Sequence, residues 1–278
     1  SIRSYDELVT EPELEAIYIP LPNSMHCEWA LRALEARKAV LCEKPLAANA
    51  TEASRMVATA QRTGSPLVEA FHWRYHPMCD RIVAIAESGM LGTLREVSVA
   101  FHLPRQIVPD DNIRWRHELA SGALMDTGSY CVNFLRLLLG EPVRILSAAP
   151  TISTPQVDGR MQAELMFRND CLGRLDASQI SAANDVFASA ELIGTKGRLH
   201  VLQPFVPHAG GALEIDVGGA VRNEVVDSTP TYVFQARAFA HVVRNGGPIR
   251  TSATDGVANM RVIDEIYRAA GMSPRGEH

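Results

Sequence analysis

Short apolar runs alternate with amphipathic stretches over the first ninety residues of the chain. Three of the apolar runs have the length of a strand, at residues 15–21, 39–42 and 66–71. Helical patterns follow Ser24 and Asn49, and another follows Ser4, where Glu7 completes a capping box. This alternation of strand and helix predicts parallel strands that are joined by helical crossovers.

The pattern of apolar and polar residues changes after residue 89, where strand-like runs follow one another with few helices between them. Several of these runs alternate apolar and polar residues, which is typical of an antiparallel sheet with one covered face. The predicted strands are residues 94–103, 143–152, 162–167, 171–181, 186–193, 198–202, 213–217 and 221–226. A predicted helix at residues 77–88 precedes this change, and the predicted helices after it are residues 122–139, 232–244 and 254–270.

These two hydrophobic patterns predict a fold that combines an α/β domain with an α+β domain. Residues 1–89 form the C-terminal part of a dinucleotide-binding Rossmann domain. Residues 90–253 form a mostly antiparallel sheet with helices on one face. Residues 254–278 form a final helix that packs back on the Rossmann domain.

A Rossmann domain normally opens with a glycine-rich turn, and no G-x-G-x-x-G occurs anywhere in this chain. We therefore expect that the first strands of the domain are absent, through truncation or natural loss. The sheet would then expose an unpaired edge, which predicts poor solubility for this chain expressed alone.

Composition and charge narrow the classes of partner. A formal charge of −5 without a basic run leaves no electrostatic footprint for nucleic acid. No apolar run approaches the roughly 18 residues of a membrane span, and no signal-peptide pattern opens the chain. Five widely spaced cysteines favour reduced thiols in a cytoplasmic protein. The histidines lack zinc-site spacing, so no metal is predicted.

The strand at residues 39–42 ends abruptly in Glu43, Lys44 and Pro45. In open α/β sheets, ligands bind at the carboxyl ends of the strands. Lys44 is therefore the first candidate for catalysis. The alternative is a surface lysine that precedes a turn.

A second group of polar residues lies in the helical pattern at residues 122–139. Asp126, Tyr130 and Asn133 are spaced by four and three, so they share one stripe of an otherwise apolar helix. A carboxylate and a phenol in such surroundings need partners. The alternative is that Tyr130 is a core tyrosine and Asp126 a local cap.

Four motifs occur in order along the chain: L-P-N-S-M-H at residues 21–26, E-K-P at 43–45, W-R-Y-H-P at 73–77 and G-A-L-M-D-T-G-S-Y at 122–130. Together they resemble the Gfo/Idh/MocA family of nicotinamide-dependent oxidoreductases over nearly the whole chain. Many members have His in the slot of Tyr130. Tyrosine there resembles the branch of glucose-fructose oxidoreductase and dimeric dihydrodiol dehydrogenase.

According to the resemblance, residues 90–253 form an open sheet domain for substrate binding and dimerisation. The resemblance implies NADP or NAD as cofactor, a sugar or vicinal diol as substrate, and a homo-oligomer through the β-sheet face. It also implies that Lys44, Asp126 and Tyr130 are catalytic. An alcohol that loses hydride also loses a proton, which requires a base within about 3 Å of its hydroxyl. We assign Tyr130 as this acid/base, Asp126 as an anchor, and Lys44 as the cation that lowers the phenol pKa from about 10.

The resemblance also implies supporting residues. The expected cofactor contacts are Pro20, Pro22, Asn23, His26, Glu43, Lys44 and Arg74. The expected substrate contacts are Trp115, Arg116 and Tyr75. The alternatives are a loop and helix cap around Asn23, a surface ion pair for Arg74 and core packing for Trp115.

Two other functions remain open at this stage. A non-catalytic, ligand-binding or regulatory relative would not need the cofactor phosphate site, whose glycine-rich turn this chain lacks. A glycosidase that uses bound NAD transiently occurs on the same fold. The joint presence of Lys44, Asp126 and Tyr130 favours the oxidoreductase, because a scaffold has no need of them.

Overall fold

The computed structural model describes residues 4–277 and contains two β-sheets. The smaller sheet has three parallel strands in the spatial order β1-β2-β3. Their bounds are β1 (Ala16–Ile19), β2 (Ala39–Cys42) and β3 (Leu67–Glu69). Because Ile19 pairs with Cys42 and Cys42 pairs with Glu69, the three strands end at the same level. This shared end is the edge at which the sequence predicts ligand binding.

Four helices accompany this sheet: α1 (Tyr5–Thr10), α2 (Asn23–Glu35), α3 (Ala50–Thr63) and α4 (Pro77–Glu87). The Ser4 side chain accepts a hydrogen bond from the backbone N–H of Glu7 at 3.1 Å, as predicted. The Asn49 side chain caps α3 in the same way. The predicted cap at Ser24 is wrong, because this residue lies inside the first turn of α2, which has no side-chain cap.

The larger sheet has eight strands in the order β11-β10-β9-β8-β4-β7-β6-β5. Their bounds are β4 (Leu94–Pro104), β5 (Arg144–Thr154), β6 (Val157–Met166), β7 (Leu172–Ser181), β8 (Phe187–Gly194), β9 (Gly197–Leu202), β10 (Ala212–Val217) and β11 (Ala220–Val225). All neighbours are antiparallel except β4 and β7. The predicted fold class, a Rossmann-like sheet followed by a mostly antiparallel one, is confirmed.

Strand β6 begins five residues earlier than the sequence predicts. It follows β5 after the two-residue turn at Pro155 and Gln156, where Gln156 has a positive φ of 65°. This tight hairpin brings Asp158 into the sheet, and its carboxylate is fully buried. The sequence pattern did not predict this part of the strand, because Asp158 and Gly159 interrupt the run of apolar residues.

Helices cover one face of the larger sheet and connect it to the smaller one. Helix α5 (Ser129–Leu139) packs against β4 and β7, and a π-helical turn (Leu124–Gly128) precedes it directly. Helix α6 spans Thr231–Asn245 and α7 spans Ala253–Ala269. Helix α7 packs against α3 and α5, and the Asp264 carboxylate accepts a hydrogen bond from the backbone N–H of Ala50 at 3.0 Å.

None of the helices formed by residues 4–277 combines the length and the apolar character that a membrane span requires. All five cysteines are buried as free thiols. The domain boundaries, the homo-oligomer and the poor solubility stay predictions.

Candidate active site

The side chains of Lys44 and Asp126 meet where the smaller sheet ends. Lys44 lies two residues after the end of β2, and Asp126 lies in the π-helical turn before α5. The Lys44 Nζ is 2.6 Å from Asp126 Oδ1 and 3.2 Å from the Asp126 backbone carbonyl. Only 12% of the Lys44 side chain and 17% of the Asp126 side chain are exposed. One half of this largely buried ion pair therefore comes from the turn after β2, and the other half comes from the π-helical turn.

The backbone carbonyl of Asp126, in the π-helical turn, has two side-chain donors. It accepts from the Lys44 ammonium and from the Ser129 hydroxyl, at 3.2 and 2.8 Å. Single π-helical turns inside α-helices are frequent at functional sites. The start of the turn is held by Asp158, whose carboxylate accepts from the backbone N–H of Leu124 at 2.8 Å.

Two further side chains bind the second oxygen of the Asp126 carboxylate. Arg114 Nε lies 2.6 Å and Gln179 Nε2 lies 2.9 Å from Asp126 Oδ2. Burial by itself raises the pKa of the Asp126 carboxyl, but the charges of Lys44 and Arg114 outweigh it and hold that pKa well below its usual range. Asp126 is therefore a carboxylate that fixes two cations in place.

These groups border a cavity of about 190 Å³ that opens between the two sheets. Its polar lining consists of Asn23, Glu43, Lys44, Arg114, Ser121, Asp126 and Gln179. Cationic and carboxylate groups thus face the cavity next to amide groups that can bind hydroxyls. Such a lining suits a small polyhydroxylated substrate.

Tyr130 lies beside this pair, but its hydroxyl points to another partner. The Lys44 Nζ lies 4.9 Å from the centroid of the Tyr130 ring, and the hydroxyl is 2.9 Å from His72 Nε2. Burial, with the negative charge of Glu43, raises the pKa of Tyr130 well above its ordinary value. The prediction that this pKa is lowered is therefore wrong, because burial of the phenol, with the negative charge of Glu43, raises it. The phenol is neutral.

Two family models match this chain in succession. The model described as an oxidoreductase family with an NAD-binding Rossmann fold matches residues 1–71, and the GFO/IDH/MocA C-terminal domain matches residues 80–200. The chain belongs to the GFO/IDH/MocA family of oxidoreductases. The family resemblance of the four sequence motifs is thereby confirmed.

Named relatives of this GFO/IDH/MocA oxidoreductase align with most of the chain. The NADP(+)-dependent D-xylose 1-dehydrogenase 2 of Haloferax volcanii is 34% identical over 271 residues, which are 96% of this chain and 81% of the relative. Trans-1,2-dihydrobenzene-1,2-diol dehydrogenase of Mus musculus is 33% identical over 73% of this chain and 60% of its own. A 3-ketoreductase of Actinomadura kijaniata, solved with NADP and TDP-benzene, superposes with a TM-score of 0.88 at 27% identity, covering 96% of this chain and 82% of its own.

Four of the predicted cofactor contacts lie at the ends of β1 and β2 in this family member. Pro22, Asn23 and Glu43 line the cavity, and Pro20 is exposed at the end of β1. The Asn23 amide donates to the Ala120 carbonyl at 2.9 Å. The Glu43 carboxylate accepts from the Tyr18 hydroxyl at 2.6 Å. These residues remain candidates for holding a cofactor.

His26 lies in the buried layer between the loop after β1 and the turn after β2. Its side chain is fully buried, with Nδ1 2.9 Å from the Pro45 carbonyl and Nε2 2.8 Å from the Leu21 carbonyl. The ring therefore links the loop after β1 to the turn after β2. The expected cofactor contact of His26 stays a prediction.

Arg74 and Tyr75 lie away from the cavity, because the 3₁₀ turn at His72–Tyr75 directs them to other elements. Arg74 bonds the Asn133 amide oxygen at 3.3 Å and pairs with Asp255 at 3.6 Å. The Tyr75 hydroxyl is 2.8 Å from Thr251 Oγ1. Their predicted ligand contacts stay predictions, and Asn133 belongs to this ion-pair network instead of the Lys44 site.

Trp115 and Arg116 also lie outside the cavity lining. Trp115 is buried against Val108 and Val157, and Arg116 is exposed and pairs with Glu118. The 3₁₀ turn at Ile113–Trp115 instead directs Arg114 to Asp126. The sequence analysis named the correct segment but not Arg114, the residue of this segment that bonds Asp126.

Proposed function

We propose that this protein transfers hydride between NAD(P) and a carbon that bears a hydroxyl or carbonyl oxygen in a sugar or vicinal diol. The observation that carries the proposal is the Lys44–Asp126 pair, which lies beside Tyr130 at the carboxyl end of a Rossmann-type sheet. The relatives support the substrate class, since their names specify D-xylose, a dihydrodiol and a keto group.

The edge of the smaller sheet fits the nicotinamide end of the cofactor. Three parallel strands end at one level there, and the Asn23 amide and the Glu43 carboxylate suit the hydroxyls of a ribose. Pro20 and Pro22 would border the same edge. When bound, NAD(P) supplies or accepts the hydride. NADP is named with two of the relatives, which favours it over NAD.

The neutral phenol of Tyr130 suits it to donate a proton to a substrate carbonyl oxygen, and in the reverse direction it takes the proton back. Asp126 engages two of the three N–H donors of the Lys44 ammonium. The third donor is left to orient the substrate oxygen. Arg114 and Gln179 hold Asp126 from its other side, so the ammonium keeps its position during turnover.

A second assignment has Lys44 itself donating the proton. Lys44 lines the cavity, whereas Tyr130 is only 7% exposed and its hydroxyl is bonded to His72. In this assignment Tyr130 provides an aromatic face for the ammonium. The two assignments predict different values of kcat after the phenol oxygen is removed.

The test uses the absorbance of reduced nicotinamide while aldoses and vicinal diols are offered with NADP or NAD. Tyr130→Phe and Lys44→Met are compared with Tyr5→Phe and Lys196→Met, which change exposed residues far from the cavity. We expect each site variant to lower kcat by about 10²–10⁴, and the controls to match the wild type.

Each outcome separates the alternatives. Loss in both site variants supports Tyr130 as the acid/base, whereas loss in Lys44→Met alone assigns the proton to Lys44. Wild-type turnover in both variants refutes the site. NADP binding without turnover of any sugar or diol would favour the non-catalytic, ligand-binding relative. A homo-oligomer through the open sheet face stays a prediction for light scattering.

A further inference from the structure

His72 is the hydrogen-bonding partner of the Tyr130 hydroxyl. It follows β3 in the 3₁₀ turn at His72–Tyr75 and is 3% exposed. Its Nε2 is 2.9 Å from the Tyr130 oxygen. The Tyr232 ring lies against the imidazole at a centroid distance of 4.2 Å and shields it from solvent.

The other ring nitrogen of His72 has no partner. Its Nδ1 is buried and makes no hydrogen bond to any residue from 4 to 277. Burial first, and the charge of Lys44 second, lower the pKa of His72 to about 3. At neutral pH the ring therefore carries a single N–H, on either Nδ1 or Nε2.

The two neutral tautomers have different consequences for Tyr130. If Nδ1 carries the hydrogen, a buried N–H donor lacks an acceptor, which is rare in proteins because it is unfavourable. Nε2 would then accept the phenol hydrogen and turn it away from a substrate. If Nε2 carries the hydrogen, only a lone pair is left without a partner, and the imidazole donates to the Tyr130 oxygen.

We infer that His72 is a positioning residue, whose Nε2–H donates to the Tyr130 oxygen and so directs the phenol hydrogen away from the imidazole, where a substrate oxygen can accept it. A phenol hydrogen prefers the plane of the ring and has two orientations there. A donor that occupies one of them leaves the other for the hydrogen. This inference rests on the proposed acid/base role of Tyr130.

The tautomer is measured directly, without turnover. Protein labelled with ¹⁵N-histidine is recorded in a long-range ¹H–¹⁵N correlation spectrum, and His72→Gln assigns the His72 signals by their disappearance. We expect a neutral ring with hydrogen on Nε2. A ring with hydrogen on Nδ1, or an imidazolium, overturns the inference even if the enzyme is fully active.

Kinetics test the consequence of the tautomer. His72→Gln places an amide N–H near the position of Nε2, whereas His72→Leu removes the donor. We expect His72→Gln to keep kcat within about threefold of the wild type, and His72→Leu to lower it about 10- to 100-fold with little change in KM. A structural role would instead weaken both variants in parallel with their melting temperatures.

A double-mutant cycle links the effect to the phenol. In a Tyr130→Phe background, His72→Leu should have no further effect on kcat, because its target oxygen is gone. An equal loss in both backgrounds overturns the inference. If Tyr130→Phe alone is fully active, the proposed acid/base role fails, while the tautomer still decides which group donates in the His72–Tyr130 bond.

Discussion

The ion pair at the centre of the site offers a quantitative test, through the substitution Asp126→Asn. The asparagine keeps the shape of the side chain but removes its charge. Its amide nitrogen would also oppose the donors of Arg114 and Gln179, or its oxygen would leave the Lys44 ammonium. At least one buried donor then loses its acceptor.

The magnitude follows from the burial of the pair. Removing one partner of a fully buried ion pair costs about 3–5 kcal/mol. Lys44 and Asp126 keep 12% and 17% of their side-chain surface exposed, so water compensates part of this loss. We therefore expect the free energy of unfolding to fall by about 2–3 kcal/mol, or roughly 5 °C in Tm for a chain of this size.

The effect of Asp126 on stability also depends on pH in a defined direction. Its pKa is lower in the folded protein than in the unfolded chain, because Lys44 and Arg114 outweigh its burial. The unfolded chain therefore takes up a proton near pH 4 that the folded protein does not. The stability contributed by Asp126 is complete at neutral pH and declines as pH falls below about 4.

Urea unfolding followed by tryptophan fluorescence measures both effects in the wild type and in Asp126→Asn. Asp110→Asn is the matched control, because Asp110 pairs with Arg105 on the surface and is 95% exposed. The control should change stability by less than about 1 kcal/mol. Equal urea midpoints for wild type and Asp126→Asn at neutral pH would refute the reasoning, as would a difference that stays constant in acid.

Three other substitutions test further features. Gly122→Ala places a Cβ 2.2 Å from Asp158 Oδ1 at a φ of +140°, so we expect a loss above about 2 kcal/mol; an unchanged Tm would contradict it. Burial raises the pKa of Glu69 to about 8, so the stability that Glu69 contributes should fall as pH rises from about 4.5 to 8. Glu69→Gln avoids this fall, and parallel urea midpoints across that range would count against the assignment. Arg114→Leu should lower kcat by about tenfold or more in the nicotinamide assay, whereas Arg116→Leu should not; equal effects would reject the inward orientation of Arg114.

Residues close together in sequence determined the features that could be predicted from the chain alone. Ser4 and Asn49 begin helices because their side chains bond to an N–H three residues later. The strand at Ala39–Cys42 agrees with its apolar run, since four buried residues bounded by charge leave little choice. Lys44, Asp126 and Tyr130 were all found from motifs, because the chemistry they carry restricts the residue types at those positions.

Tertiary structure alone decided which side chains complete the site. The sequence pattern contains Arg114 and Arg116 equally, and only the turn at Ile113–Trp115 directs Arg114 to Asp126. The bond between His72 and Tyr130 joins residues 58 positions apart, and that from Gln179 to Asp126 joins residues 53 apart. A repeating pattern reports only neighbours on one strand or helix, whereas these partners are set by how two sheets and a π-helical turn pack together.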